Sequence, residues 1–117
     1  MHFAIAATWG PTDPTRAALP FLLAASALQA GDSVTIMLFH DAVHLAVAGT
    51  AQKIVPFGPP QRFEEVISHA NAEVLVCKPC AEVRQLTEAV LDKRVRLAGM
   101  NDFHAGAARD NARVIAF

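Results

Sequence analysis

The chain has no apolar run long enough to cross a bilayer. Its longest, residues 17–28, contains Pro20 and Ser26 and falls short of the about 20 residues that a spanning helix needs. The chain also begins without the basic segment of a secretory leader. A soluble, cytoplasmic protein with no membrane partner is therefore expected. Clustered cations are scarce. Ten Lys and Arg stand against eleven Asp and Glu, for a formal net charge of -1. Lys93, Arg94 and Arg96 form the only basic cluster, expected to be a solvated helix end. No nucleic-acid partner is expected, because such a footprint needs many grouped Lys and Arg. Cysteine is scarce too, with only Cys77 and Cys80. In a cytosolic chain these should be reduced thiols and not a structural bridge. Linkers, internal repeats and low-complexity segments are missing, so residues 1–117 read as one domain.

Apolar residues, by contrast, are abundant. They make up 53% of the chain before its six glycines are counted, where about 45–50% including glycine is usual. A small monomer has little interior to hide that surplus. A homo-oligomer with apolar interfaces is expected, with an alanine-rich compact domain as the alternative.

Residues 2–7 (HFAIAA) and 33–39 (SVTIMLF) are short apolar runs that read as buried strands. Residues 73–77 (EVLVC), 95–98 and 112–117 read likewise, with 53–57 a short strand or connector before the break at Gly58-Pro59-Pro60. Thr12 or Asp13 caps a first helix, Pro14 suits its first turn, and Gly31 stops it. That helix contains Pro20 and is apolar almost all round, so one side should face the sheet and another a second subunit. Further helices are predicted over 61–70 and 81–93, a helix or turn over 40–48, and a short helix capped by Asn101 or Asp102 and ending at Arg109. Strands alternating with helices imply an α/β fold with a mainly parallel sheet covered on both faces. Ligands of such folds bind at the carboxyl ends of the strands. Residues 8–16, 39–44 and 77–84 should converge there.

Cys77 ends a strand and Cys80 stands at the start of the next helix. Helix-end amides lower a thiol pKa, and Lys78 and Arg84 would add positive charge. Four readings follow. The pair is thioredoxin-like, since Cys77-Lys78-Pro79-Cys80 fits the CxPC pattern. Against this, no tryptophan precedes the motif and no proline follows Pro79 to serve as the facing cis-proline. The pair binds zinc, though it offers two ligands where a structural site needs four. One cysteine carries sulfane sulfur as a persulfide. Or both are small, buried apolar side chains.

Other candidates are weaker. His40 and His44, four apart with Asp41 between, look like a shortened zincin motif, or are surface histidines after a strand. His40 is also placed to line a strand-end pocket. Residues 10–16 (GPTDPTR) feed a helix N-terminus, where Thr12 would meet an anion or simply serve capping. Trp9 covers that pocket or sits in an interface, and Asn101, Asp102 and His104 are placed to reach the same rim. No metal or other cofactor is expected.

The run from Trp9-Gly10-Pro11-Thr12-Asp13-Pro14-Thr15-Arg16-Ala17 to Leu19-Pro20-Phe21 resembles the opening of DsrE/DsrF-like proteins. So do Gly31, the strand VTIMLF and Asp41-Ala42-Val43, and Val76-Cys77-Lys78-Pro79-Cys80-Ala81 with Arg84 resembles their cysteine motif. The resemblance implies a flavodoxin-like three-layer α/β/α sandwich with a mainly parallel five-stranded sheet, assembling as trimers or hexamers. It implies sulfur relay between a donor and an acceptor protein, with Cys77 as carrier and Cys80 in place of a small residue. Lys78, Arg84, Trp9, Thr12 and His40 would then surround the catalytic Cys77 and Cys80. Arg-Gly usually follows the motif, whereas this chain has Arg84-Gln85.

Overall fold

The computed structural model describes residues 1–54 and 61–117. Five strands form one sheet: β1 (His2–Ala7), β2 (Ser33–Leu38), β3 (Ala72–Cys77), β4 (Arg96–Ala98) and β5 (Ala112–Ala116). The α-helices are α1 (Pro14–Gln29), α2 (Gln61–Ile67), α3 (Lys78–Val83) and α4 (Met100–Ala107). Shorter 3-10 turns cover His40–Ala46, Ala51–Lys53 and Glu88–Val90. The strand predicted over 53–57 and the break at 58–60 fall mostly on residues 55–60, outside the described residues.

The strand order is β4-β3-β2-β1-β5, and every neighbouring pair is parallel. From β1 to β4 the chain steps steadily one way. It then returns across the sheet to place β5 beside β1. Right-handed crossovers put the helix of a reversed step on the opposite face. So α1 and α2 cover one face and α4 the other. Phe21 of α1 meets Phe63 of α2 with ring centroids 4.9 Å apart. Phe39, just after β2, meets Phe103 of α4 edge-on at 5.7 Å. This is the expected three-layer sandwich.

The core follows the sheet order. Residues Val34 to Leu38 of β2 and Val74 to Cys77 of β3 are all buried, as strands covered on both faces must be. The outer strands are short and more exposed, which limits unwanted edge pairing. Asp13 caps α1 by accepting from the Arg16 N–H at 3.2 Å, Pro14 opens it, and Gly31 follows it at φ +91°. Only Gly fits easily at such a φ. The flank of α1 expected against another subunit is partly covered by α2 of the same chain, while Leu19 stays 38% exposed.

The basic cluster is not a free helix end. Arg94 donates to both Glu64 oxygens, at 2.7 and 2.9 Å, and to Asp92. It thereby ties α2 to the turn before β4. Arg96 pairs with Glu73 and Asp102. The cluster serves the fold because each arginine finds a carboxylate brought near by the sheet.

Beneath α4 lies a buried polar contact. The His2 ring spans Ser33 and Thr35, with Nδ1 2.7 Å from Ser33 Oγ and Nε2 2.9 Å from Thr35 Oγ1. Gly106 of α4 packs on Thr35 so closely that a Cβ there would come within 2.8 Å of Oγ1. Burial, helped by the charge of Arg109, pushes the His2 pKa below its ordinary value. The folded chain therefore prefers the neutral ring. The unfolded chain takes up a proton near the ordinary histidine value of about 6.5, and the folded chain only at lower pH. His2 thus contributes stability above that value, and the contribution is lost as pH falls from it toward the folded pKa. Urea unfolding curves should show the midpoint dropping over this window. His2→Gln should flatten that drop, and an equal drop in the variant would refute the assignment.

Candidate functional site

The carboxyl ends of β1, β2 and β3 lie side by side because the three strands are adjacent and parallel. Their following loops meet as expected. After β1, Gly10 presses on the backbone of Asp41, so that any Cβ at Gly10 would collide with the Asp41 carbonyl. After β2, His40 turns the chain with a left-handed φ of +52°, uncommon for a residue with a Cβ. After β3, Cys77 gives way to α3 with Pro79 in its first turn, where a missing N–H costs nothing.

Arg84 joins the last two loops. Its Nε and Nη2 both donate to Asp41 Oδ1, at 3.0 and 2.9 Å. Nη1 donates to the Cys80 carbonyl at 3.1 Å, and Nη2 lies 2.9 Å from His40 Nδ1. The Arg84 guanidinium holds the Asp41 carboxyl below the usual carboxylate range.

The helix predicted over 81–93 ends at Val83. Arg84 is the cap residue, and Gln85 follows at φ +59°. The Gln85 N–H donates to the Glu82 carbonyl at 3.0 Å and the Leu86 N–H to that of Ala81 at 2.9 Å. These two bonds make a Schellman turn. The tie from Arg84 to Asp41 favours the stop, and the turn forms with glutamine at the left-handed position.

Cys77 is 8% exposed and Cys80 half-buried, both as free thiols. Contrary to the expectation of a lowered value, the Cys77 pKa is pushed up, first by burial and then by the neighbouring Cys80 thiol. The Cys80 amide and the Arg84 charge pull the other way but do not prevail. The physical reason is that Cys77 is buried at the end of a covered strand, and loss of water disfavours its thiolate more than the amide and the guanidinium favour it.

Among the predicted site residues, Cys77, Cys80, Arg84 and His40 come together. Lys78 and Thr12 are exposed at the rim, and neither has a described hydrogen bond or ion pair to the thiol site. Trp9 lies under the Arg16 guanidinium, 4.5 Å from ring centroid to Cζ. Asp102 accepts from the Gly99 N–H at 3.0 Å and pairs with Arg96, so it serves α4 and not the thiol rim. His40 and His44 sit on a 3-10 turn, whose period of three residues takes residues four apart off a common face. The zincin-like reading therefore loses its geometry. A separate cleft of about 470 Å³ lies toward the amino ends of β2 and β3, lined by Thr35, Glu73, Arg96 and Arg109, away from the thiols. Asp41 is a site member absent from the predicted site residues, although its sequence signals were its place between His40 and His44 and in the Asp41-Ala42-Val43 stretch.

A profile of the DsrE/DsrF-like family matches residues 1–117, the whole chain. This chain belongs to the DsrE/DsrF-like family. Among solved structures it is similar to the ychN protein from E. coli, with a TM-score of 0.81 and 21% identity over 100% of this chain and 99% of that one. It is also similar to MTH1491 from Methanobacterium thermoautotrophicum, with a TM-score of 0.65 and 11% identity over 99% and 96% of the two chains. A third similar structure is BT1422 from Bacteroides thetaiotaomicron, with a TM-score of 0.67 and 13% identity over 99% and 94%. At these identities the likeness is one of fold. Curated proteins give no match.

Two outcomes follow from the arrangement around the thiols. Native alkylation followed by peptide mass mapping should label Cys80 before Cys77, and labelling in the reverse order would contradict the burial of Cys77. Gln85→Gly should stabilise the chain by up to about 1 kcal/mol, because relief of the left-handed strain at φ +59° outweighs the greater entropy that glycine gives the unfolded chain. Chemical denaturation of the two proteins measures this, and a less stable variant would contradict the left-handed turn.

Proposed function

We propose that the chain is a sulfur carrier, sulfurtransferase-like in its chemistry, that takes sulfane sulfur as a persulfide on Cys77. The observation that supports it most is the pairing of a buried Cys77 with a half-exposed Cys80 at the carboxyl rim of the sheet, beside Arg84. Family membership supports it in general terms. In the loading step a Cys77 thiolate attacks the outer sulfur of a donor persulfide. The donor's sulfur–sulfur bond breaks, and the donor leaves as a thiolate that takes up a proton. In delivery an acceptor thiolate removes the outer sulfur and Cys77 returns as a thiol. Without an acceptor, the Cys80 thiolate attacks Cys77 Sγ, hydrosulfide leaves, and a Cys77–Cys80 disulfide remains for an external dithiol to reduce.

The raised pKa of Cys77 fits a carrier that stays quiet when empty. A thiol that resists ionisation also resists stray oxidation. Once loaded, the outer sulfur stands one bond of about 2.05 Å beyond Sγ, and the ionising atom is no longer the buried one. The working form is a homo-oligomer, a trimer or hexamer, with exposed Leu19, Val83, Met100 and Val114 as apolar surface for subunits to cover. Donor and acceptor proteins meet it in the reducing cytoplasm, where both thiols stay free. Among the described residues no helix is long and apolar enough to cross a membrane.

The burial of Cys77 also favours a second reading: an oligomeric small-ligand-binding module whose thiols are only packed, or a CxxC thiol-disulfide switch. One experiment separates them. Intact-mass spectrometry of Cys80→Ser after incubation with a persulfide donor should show the gain of one sulfur atom, lost when Cys77→Ser is added. No gain in Cys80→Ser with any sulfane donor would sink the carrier reading. Loss of two hydrogens in the wild type together with no gain in Cys80→Ser would support the switch.

A further inference from the structure

Arg84 reads in the sequence as a cation available to the thiols, but all three of its side-chain nitrogens are engaged. Two converge on Asp41 Oδ1, at 3.0 and 2.9 Å, one of these also lies 2.9 Å from His40 Nδ1, and the third reaches the Cys80 carbonyl at 3.1 Å. Asp41 is itself held firmly. Its backbone is locked against Gly10, and the preceding His40 is held in a left-handed conformation, which persists only where surrounding contacts fix it. Three loops from three strands thus combine to place one carboxylate opposite one guanidinium. An arginine beside a thiol would ordinarily favour the thiolate.

We propose that Asp41 is a positioning residue of the thiol site: it fixes Arg84 across the loops after β2 and β3 and holds the guanidinium charge on a carboxylate and away from the Cys77 sulfur. The charged and titratable groups involved are few among the described residues. Arg84 and the Cys80 thiol act on Cys77, while Arg84, His40 and His44 act on Asp41. Removing the Asp41 charge leaves Arg84 tethered to the Cys80 carbonyl, one helical turn before it, with its positive charge uncompensated beside the pair. This rests on reading Cys77 and Cys80 as the reactive pair, and it does not depend on which sulfur compound they carry.

The test uses the full chain with Asp41→Asn, which keeps size and an acceptor oxygen but drops the charge. Iodoacetamide alkylation of Cys77, followed residue by residue across pH, should show its midpoint moving down and reaction at neutral pH several-fold faster. Adding Arg84→Ala should abolish that gain. A folded Asp41→Asn protein whose Cys77 midpoint is unchanged or raised overturns the proposal, as does a gain that survives Arg84→Ala. Asp41→Ser must shift the midpoint the same way, and serves alone if the asparagine variant does not fold. A protein that shows the shift but never accepts sulfur leaves the positioning role standing and removes the carrier role. One that accepts sulfur with an unshifted midpoint does the reverse.

Discussion

A parallel sheet sends every strand end of one kind to the same rim. That constraint places the chemistry of this chain. Strands β1, β2 and β3 are neighbours in space as well as in sequence, so their three outgoing loops have to share one edge. The residues there need not be close in the chain. Gly10, Asp41 and Arg84 are brought together by strand order and then fastened by a carboxylate and a guanidinium. The fastening has a cost to the thiols, because a cation tied to Asp41 is less able to ionise Cys77. Structure and reactivity compete here for the same charge.

The return of the chain from β4 to β5 has its own consequence. It puts α4 alone over the face opposite α1 and α2, where close approach is needed. Gly106 on Thr35 allows that approach, and Thr35 in turn meets the His2 ring. A side chain at Gly106 would have to displace a threonine that is already hydrogen-bonded. Overpacking of this kind costs about 1–3 kcal/mol, against the roughly 1 kcal/mol that alanine would gain over glycine in a helix interior. Packing therefore outweighs helix propensity at this position.

Much of this was legible in the sequence, for identifiable reasons. Runs such as SVTIML and AEVLVC are apolar on consecutive positions because those strands are covered on both faces, and such runs need no partner to be recognised. The cap at Asp13 and the stop at Gly31 use residue types with strong conformational preferences. The end of α3 was not legible. Its apolar spacing continues through Leu86, Val90 and Leu91, and its stop uses glutamine in a position where glycine would have given the signal. The Arg94 network was hidden for a different reason: Glu64 lies 30 residues away in sequence, and only the fold makes them neighbours. The role of Asp41 was hidden in the same way: its place between two histidines suggests a metal motif, and only the fold brings Arg84 from the next loop onto it.

Cys77 departs in sign from what its sequence neighbours suggest. A helix end, Lys78 and Arg84 all stand near it in the chain, but none ionises it in place. The helix has six residues, Lys78 is exposed at the rim, and Arg84 is shared among a carboxylate, an imidazole and a carbonyl. Against these stands desolvation of Cys77, a residue 8% exposed at the end of a buried strand, and desolvation prevails. Arg84 nonetheless favours the thiolate from where it is held. In the proposed carrier role, an anionic sulfur group on Cys77 would offer Arg84 a second negative partner at the same rim, in competition with Asp41.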